Sequence, residues 1–559
     1  MNAGLIAVLS LFSFFMAYRF YAKYLSTHIF DLEGLDDKGH QTIAVSNEDG
    51  IDFVPTKKEI LIGHHFSSIA GAAPIVGPAV AAIWGWAPAV LWIIFGVIFM
   101  GASHDFGTLV VSMKNQGGSM AKVAETLLGK RAKTLFLVII FFLVWMVIAV
   151  FALVIASLFM KFPSSVIPVN FEIIIAIIMG VVINKKKADL KIPSLLAQAG
   201  LFVMIYIGTL YPIDLSLYFG TNTLMVWIIF LLIYSFIAST LPVWMLLQPR
   251  DYINSHQLFL GLFLMIVGLF IVNPQIVAPA YNPSPSGAPP IFPFLFITIA
   301  CGAISGFHGL VSGGTTSKQI AKWSDAKKVG YGSMLGEGLL AILATLAVTT
   351  GFKTEALWHN HYANWNHANG LSNKISAFVI GAGNFVSGVG IPENISHTVI
   401  AVLIISFAAT SLDTACRIQR YIISELGQAT KVPALINRYL GSFIAVFSAF
   451  LLMIQSNSGK GGLIIWPLFG ATNQMLAGLS LVLISFFLYK NKKKTLSYSI
   501  PATVIIIFTS FGLYRNITLF YEKENYFLTI LAITLFMAQL WVILEIFLQL
   551  KKQKPKRNL

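Results

Sequence analysis

The chain has 559 residues, 57% hydrophobic and 11% charged, with a formal net charge of +15. A mean hydropathy of +0.77 excludes a soluble globule and points to a polytopic membrane protein. The basic residues sit in loops between apolar runs, so no nucleic acid partner is implied, and the two cysteines, Cys301 and Cys416, both lie in apolar runs and give no disulfide framework.

Fifteen apolar segments approach the roughly 20-residue length that crosses a bilayer. In chain order they are 3–25, 61–84, 87–112, 134–160, 168–184, 193–211, 223–247, 257–273, 291–312, 329–351, 395–416, 438–455, 463–488, 498–515 and 527–549. The first carries Arg19 and Lys23 after its apolar run, the reverse of a cleaved signal peptide, and is expected to be a retained accessory span, 1–25. The polar, acidic loop 26–59 is too short for an enzyme domain. Basic loops at 114–133, 185–191, 318–328, 417–438 and 490–494, with the tail 551–559, alternate with loops poor in Lys and Arg. One side of the membrane receives 32 of the 38 basic residues. The alternation predicts an external N-terminus and a cytoplasmic C-terminus.

The stretch His64-His65-Phe66-Ser67-Ser68-Ile69-Ala70-Gly71-Ala72-Ala73-Pro74-Ile75-Val76-Gly77-Pro78 is unlike a lipid-facing helix. Pro74 lacks an N–H and clashes with the carbonyl one turn back, and Gly71 adds backbone freedom. A break near Ala70–Pro74 is expected, and freed backbone at membrane depth lines a cavity or is buried in protein. Span 3 ends on Ser103-His104-Asp105. Span 7 is expected to be interrupted at Leu241-Pro242, followed by Val243-Trp244 and then Arg250-Asp251. Span 9 carries Ser305 and His308 and closes on Ser312, Thr315, Thr316 and Lys318. Span 10 holds Glu337, and span 11 holds Asp413 and Arg417, four apart and able to pair along one helix face. The outer loop 352–394, with Trp358-His359-Asn360-His361-Tyr362 and His367, reads as a solvated aromatic surface at the membrane interface.

Gly63–Pro78, Met100–Asp105 and Gly306–Lys318 together resemble the carbon starvation protein A (CstA) family, and the resemblance covers Met1 to about Tyr489. It implies an inner-membrane secondary transporter, not an enzyme, that imports peptides or, in some members, pyruvate under a proton gradient. It also implies the leucine-transporter type of fold of the amino acid–polyamine–cation superfamily, an all-α polytopic membrane protein with a 5+5 inverted repeat and accessory spans. On that reading 60–211 is the first repeat, 222–416 the second, and 438–550 a set of accessory helices. Spans 2 and 7 run in opposite senses, as an inverted repeat requires.

The broken helices would hold a substrate carboxylate at half-helix N-termini. The residues assigned to substrate are Ser67, Ser68, Gly71, Ala72, Pro74, Pro242, Trp244, Ser305 and His308. Those assigned to the coupling ion are His64, His65, His104, Asp105, Ser312, Thr315, Thr316, Lys318 and Asp413. The ion is a proton on the resemblance; the carbonyls of Ala70–Ala73 with the hydroxyls of Ser312, Thr315 and Thr316 leave sodium open. His64, His65, His104 and Asp105 also leave open a bound metal or an embedded enzyme, and a channel is a further alternative. No Walker A motif is present, and no cofactor is expected.

Overall fold

The computed structural model describes residues 2–50, 53–186, 191–242, 244–352, 354–368, 370–454 and 461–553. Parts of the loops 185–191 and 456–462 and of the tail 551–559 lie outside the described residues. The described residues form helices joined by short connections, with two isolated bridges and no strand. Among the described residues, twelve helices are long and apolar enough to cross a bilayer. Three further expected segments are helical but shorter or broken: the bent pair around residue 71, the segment from Ile291 to Gly314, and the 17-residue helix Arg438–Ile454.

The first break lies where Gly71 and Pro74 place it. The helical segments Lys58–Ile69 and Ala73–Trp84 meet at a bend of 48°; the second begins with the α-helix Ala73–Ala81. Ala70 has φ −74° and ψ 65°, and the Gly71 N–H donates to the Ile69 carbonyl at 2.8 Å, a tight inverse turn in place of the helical bond. Pro74 occupies the first turn of the second half-helix, where its missing N–H costs nothing.

The second break is not in the predicted place. Thr223–Thr240 ends as a complete helix, and Leu247–Val272 begins a separate one of 26 residues. Leu241 before Pro242 is extended, as the ring of a following proline demands. Pro249 stands in the first turn of the next helix, where it is tolerated. Pro242 and Trp244 therefore sit in a turn between two spans and not in the middle of one. The interrupted span is instead the ninth, in three pieces: Ile291–Thr298, Ala300–Ala303 and Gly306–Gly314. Ile304 and Ser305 between the last two are fully extended. Counted in spans, the two breaks are seven apart, not five.

The two broken spans lie against each other. A Cβ added at Gly77 would stand 2.4 Å from the Thr298 carbonyl oxygen, and one at Gly302 would stand 3.6 Å from the Pro74 Cα. Trp466–Lys490, expected to be accessory, is mostly buried and packs on the second break. A Cβ at Gly306 would meet its Asn473 carbonyl oxygen at 2.4 Å, so only glycine allows the approach.

The loop 352–394 is more than a solvated surface. It folds into the helices Glu355–His361, Trp365–Ala368 and Leu371–Ser387. Trp358 and Tyr362 turn inward and stack with centroids 4.7 Å apart. The Tyr362 hydroxyl donates to the Ala79 carbonyl at 2.7 Å, and Trp365 lies 5.1 Å from Trp84. His359 and His367 stay exposed, and no group of three or more metal-ligating side chains occurs among the described residues.

Lys374 is buried in this cap, its ammonium 4.8 Å from the Trp466 ring centroid, with no carboxylate partner among the described residues. Burial pushes its pKa down to about 7. The unfolded chain then binds the extra proton between pH 7 and the ordinary lysine range, so the cost of burying the charge is full below pH 7 and fades as pH rises. Lys374→Met is expected to raise the melting temperature of the purified protein clearly at pH 6 and by little at pH 10. An equal shift at both pH values would show that the ammonium is already satisfied.

Candidate functional site

Two clusters of ionisable side chains lie wholly inside the helix bundle. A buried charge persists only when paired and hydrogen-bonded, and in a bilayer such groups default to function. The first cluster joins Ala102–Lys114, Gly306–Gly314 and Ser333–Thr350. Asp105 accepts from His104 Nδ1 through Oδ1 at 2.8 Å, and contacts His308 Nδ1 through Oδ2 at 3.0 Å. His308 Nε2 faces Glu337 Oε2 at 3.3 Å. The result is a chain His104–Asp105–His308–Glu337 with every member at 0–1% exposure. Beyond that ion-pair distance, neither Glu337 oxygen has a hydrogen-bond partner.

The second cluster centres on Arg250. Its Nη1 donates to Asp413 Oδ2 at 2.5 Å and to the Tyr234 hydroxyl at 2.6 Å, and its Nε faces Glu172 Oε1 at 3.3 Å. Ser406 donates to the other Glu172 oxygen at 2.5 Å. The neighbouring Asp251 takes His64 Nδ1 at 2.6 Å. The next residue, His65, meets the Thr316 hydroxyl at 2.9 Å through Nδ1. Successive residues on the Lys58–Ile69 half-helix thus reach toward different elements, as their ~100° separation requires.

The structure divides the expected site residues. Asp105, His104 and His308 come together as a group, and His65, on the Lys58–Ile69 half-helix, meets Thr316 past the end of Gly306–Gly314. Asp413 belongs to the other cluster. It does not pair with Arg417, whose Nη2 donates to the carbonyls of Ala238 and Leu241 at 3.1 and 2.9 Å. Ser305 bonds Asn473, and Phe307 N–H also donates to Asn473 Oδ1, at 2.9 Å, so this half-helix N-terminus is capped. Ser67 and Thr315 bond back to their own helices. Lys318 lies apart, 5.4 Å from the Phe53 ring centroid. Ser68 and Ser312 are buried with hydroxyls that find no partner. Around Gly71 and Ala72 the facing groups are Phe151 and Ser411. A Cβ on Gly71 would stand 2.8 and 2.9 Å from them, so any larger residue there must displace these side chains. Ser411, whose hydroxyl is also unpartnered, is not among the residues assigned to substrate or ion, and it stands beside the first break. Glu172 and Tyr234 were missed as well. Glu172 carried a signal: it is the one acidic residue within the apolar run 168–184.

Two broken spans side by side, with ion clusters buried around them, define a polytopic membrane protein built about irregular backbone at membrane depth. The chain belongs to the carbon starvation protein CstA family, whose model matches residues 2–375 and 352–512. It is 34% identical to the peptide transporter CstA of Bacillus subtilis over 94% of this chain and 93% of that protein. It is 31% identical to the pyruvate/proton symporter BtsT of Escherichia coli, over 91% of this chain and 81% of that one. Among solved structures, a manganese transporter of Eremococcus coleocola aligns with a TM-score of 0.49 at 10% identity, covering 90% of this chain and 99% of that one, a likeness too loose to define the fold.

Proposed function

We propose that the chain is a proton-coupled secondary transporter, importing peptides or a small carboxylate such as pyruvate by alternating access, and not an enzyme. The observation that carries this is the buried chain His104–Asp105–His308–Glu337 set against the paired broken spans. An imidazole held between two carboxylates can take up and release a proton with little movement of heavy atoms. The relatives named as a peptide transporter and a pyruvate/proton symporter support the substrate class and the ion. The substrate carboxylate sits at the N-terminus of Ala73–Ala81, with the unpartnered hydroxyls of Ser68 and Ser411 beside the break. Proton and substrate must favour each other's binding for uptake to be driven.

The test is uptake by the purified protein in liposomes of alanyl peptides and of pyruvate, under an imposed proton or sodium gradient. Accumulation that follows the proton gradient and collapses with a protonophore is expected. Accumulation that needs sodium and ignores pH would overturn the coupling.

The basic loops support an external N-terminus, a cytoplasmic C-terminus and residence in the cytoplasmic membrane. Lys122→Cys is expected to resist an impermeant thiol reagent in intact cells and to react in broken ones. Labelling in intact cells would reverse the orientation.

A further inference from the structure

A second site lies apart from the broken spans. A cavity of about 610 Å³ opens between Thr240–Pro242 and Trp244, the far part of the Glu393–Thr430 helix and the chain near Arg438. Three arginines line it: Arg417, Arg420 and Arg438. None makes an ion pair with a carboxylate among the described residues. Arg417, 5% exposed, donates from Nη2 to two carbonyls while its buried Nε has no partner. Arg420 donates to the Ser239 carbonyl at 2.8 Å and lies over the Tyr421 ring. Arg438 is exposed and donates to the Tyr439 hydroxyl. Asp413, one turn before Arg417, is already held by Arg250 and Tyr234. Trp244 and Tyr421 supply aromatic wall, and Gln248 a neutral polar group.

Three guanidinium groups around one cavity repel one another, and the arrangement is relieved by an anion that they share. We infer that this cavity is a binding site for an organic anion with a compact phosphate or carboxylate head and an apolar portion. The guanidinium fork suits either head, and the aromatic walls suit the apolar portion. Two sources supply that chemistry: the headgroup of an anionic phospholipid in the adjoining leaflet, or a free carboxylate on its way through the protein. The site is distinct from the proposed substrate site, and its occupancy is measured without transport.

The experiment uses the full chain in nanodiscs and reads the melting temperature. One arm compares phosphatidylcholine alone with phosphatidylcholine containing phosphatidylglycerol. The other titrates pyruvate or dialanine into phosphatidylcholine discs. The double variant Arg420→Gln/Arg438→Gln is compared with the parent and with Lys431→Gln, which removes an exposed charge outside the cavity. Arg417 is left intact because it fastens two backbone carbonyls. The parent and Lys431→Gln are expected to be stabilised by the anion in one arm, and the double variant to bind about tenfold or more weakly in that arm. Stabilisation in the first arm alone assigns the lipid; in the second alone, the free carboxylate. No stabilisation in either arm, or a double variant that responds like the parent, overturns the proposal.

Discussion

Asp105→Asn is expected to lower accumulation of substrate against its gradient roughly tenfold to a hundredfold while leaving exchange across the membrane nearly intact. Each Asp105 oxygen serves one histidine Nδ1, His104 at 2.8 Å and His308 at 3.0 Å. An asparagine offers one oxygen and one NH2, so the two imidazoles can no longer both be matched in their present tautomers. The amide also cannot neutralise an imidazolium, and a charged His308 would then rest on Glu337 alone. Loss of a charge-assisted bond inside the bundle costs about 1.5–3 kcal/mol, enough to lower coupled uptake by roughly tenfold to a hundredfold. The measurement is pyruvate or peptide accumulation in liposomes under an inward proton gradient, beside counterflow with no gradient. A variant that still concentrates substrate with the parent's pH dependence would remove the His–Asp–His–Glu chain from the coupling path.

Arg250→Met is expected to be the most destabilising single change in the second cluster. Arg250 has 0% exposure and is the cation facing both Glu172 and Asp413. Its removal leaves two buried carboxylates without their counter-charge, a defect that typically costs about 3–5 kcal/mol. Replacing the whole set with neutral groups of similar shape, Glu172→Gln with Arg250→Met and Asp413→Asn, should recover most of that loss. Thermal melting of the solubilised protein checks both. If the triple variant melts no higher than Arg250→Met alone, the cost comes from packing of the long arginine side chain and not from stranded charge.

Local chemistry announced the first break. Gly71 and Pro74 fall within four residues of each other inside an apolar run, and both act on their own backbone. The second break has no such signature. Ile304 and Ser305 are extended because Asn473, 168 residues further on in sequence from Ser305, caps the next half-helix and Gly306 admits its backbone. Pro242 is ambiguous in sequence, because a proline preceded by an apolar run looks the same at a span's end as in its middle. The helix end at Thr240 and the restart at Leu247 depend on how the chain is packed.

The buried ionisable residues were legible as a set, because each lone charge in an apolar run needs a reason to be there. Their pairing was not. His64 lies 187 residues from Asp251, and His308 lies 203 from Asp105. One sequence carries no record of which of several buried acids meets which histidine. Asp413 and Arg417, four apart on one helix, offer the simplest pairing in sequence. The fold gives Asp413 a better partner in Arg250, and gives Arg417 the carbonyls freed where the helix at Thr240 stops.

The paired histidines of the Lys58–Ile69 half-helix act as two rivets through neighbouring holes. His64 fastens it to the Leu247–Val272 helix through Asp251, and His65 fastens it to Thr316, past the C-terminal end of the Gly306–Gly314 half-helix. The half-helix can travel with one of these neighbours only by releasing the other, unless all three move as a block. A hydrogen bond of this kind is worth about 0.5–3 kcal/mol, the size of gap that separates a major state from one populated at the per cent level. Opening one rivet is therefore a step that thermal motion can take and that a bound ion or substrate can bias, while opening both at once is rare. A protein that must never be open to both sides has use for a fastening that gives way one point at a time.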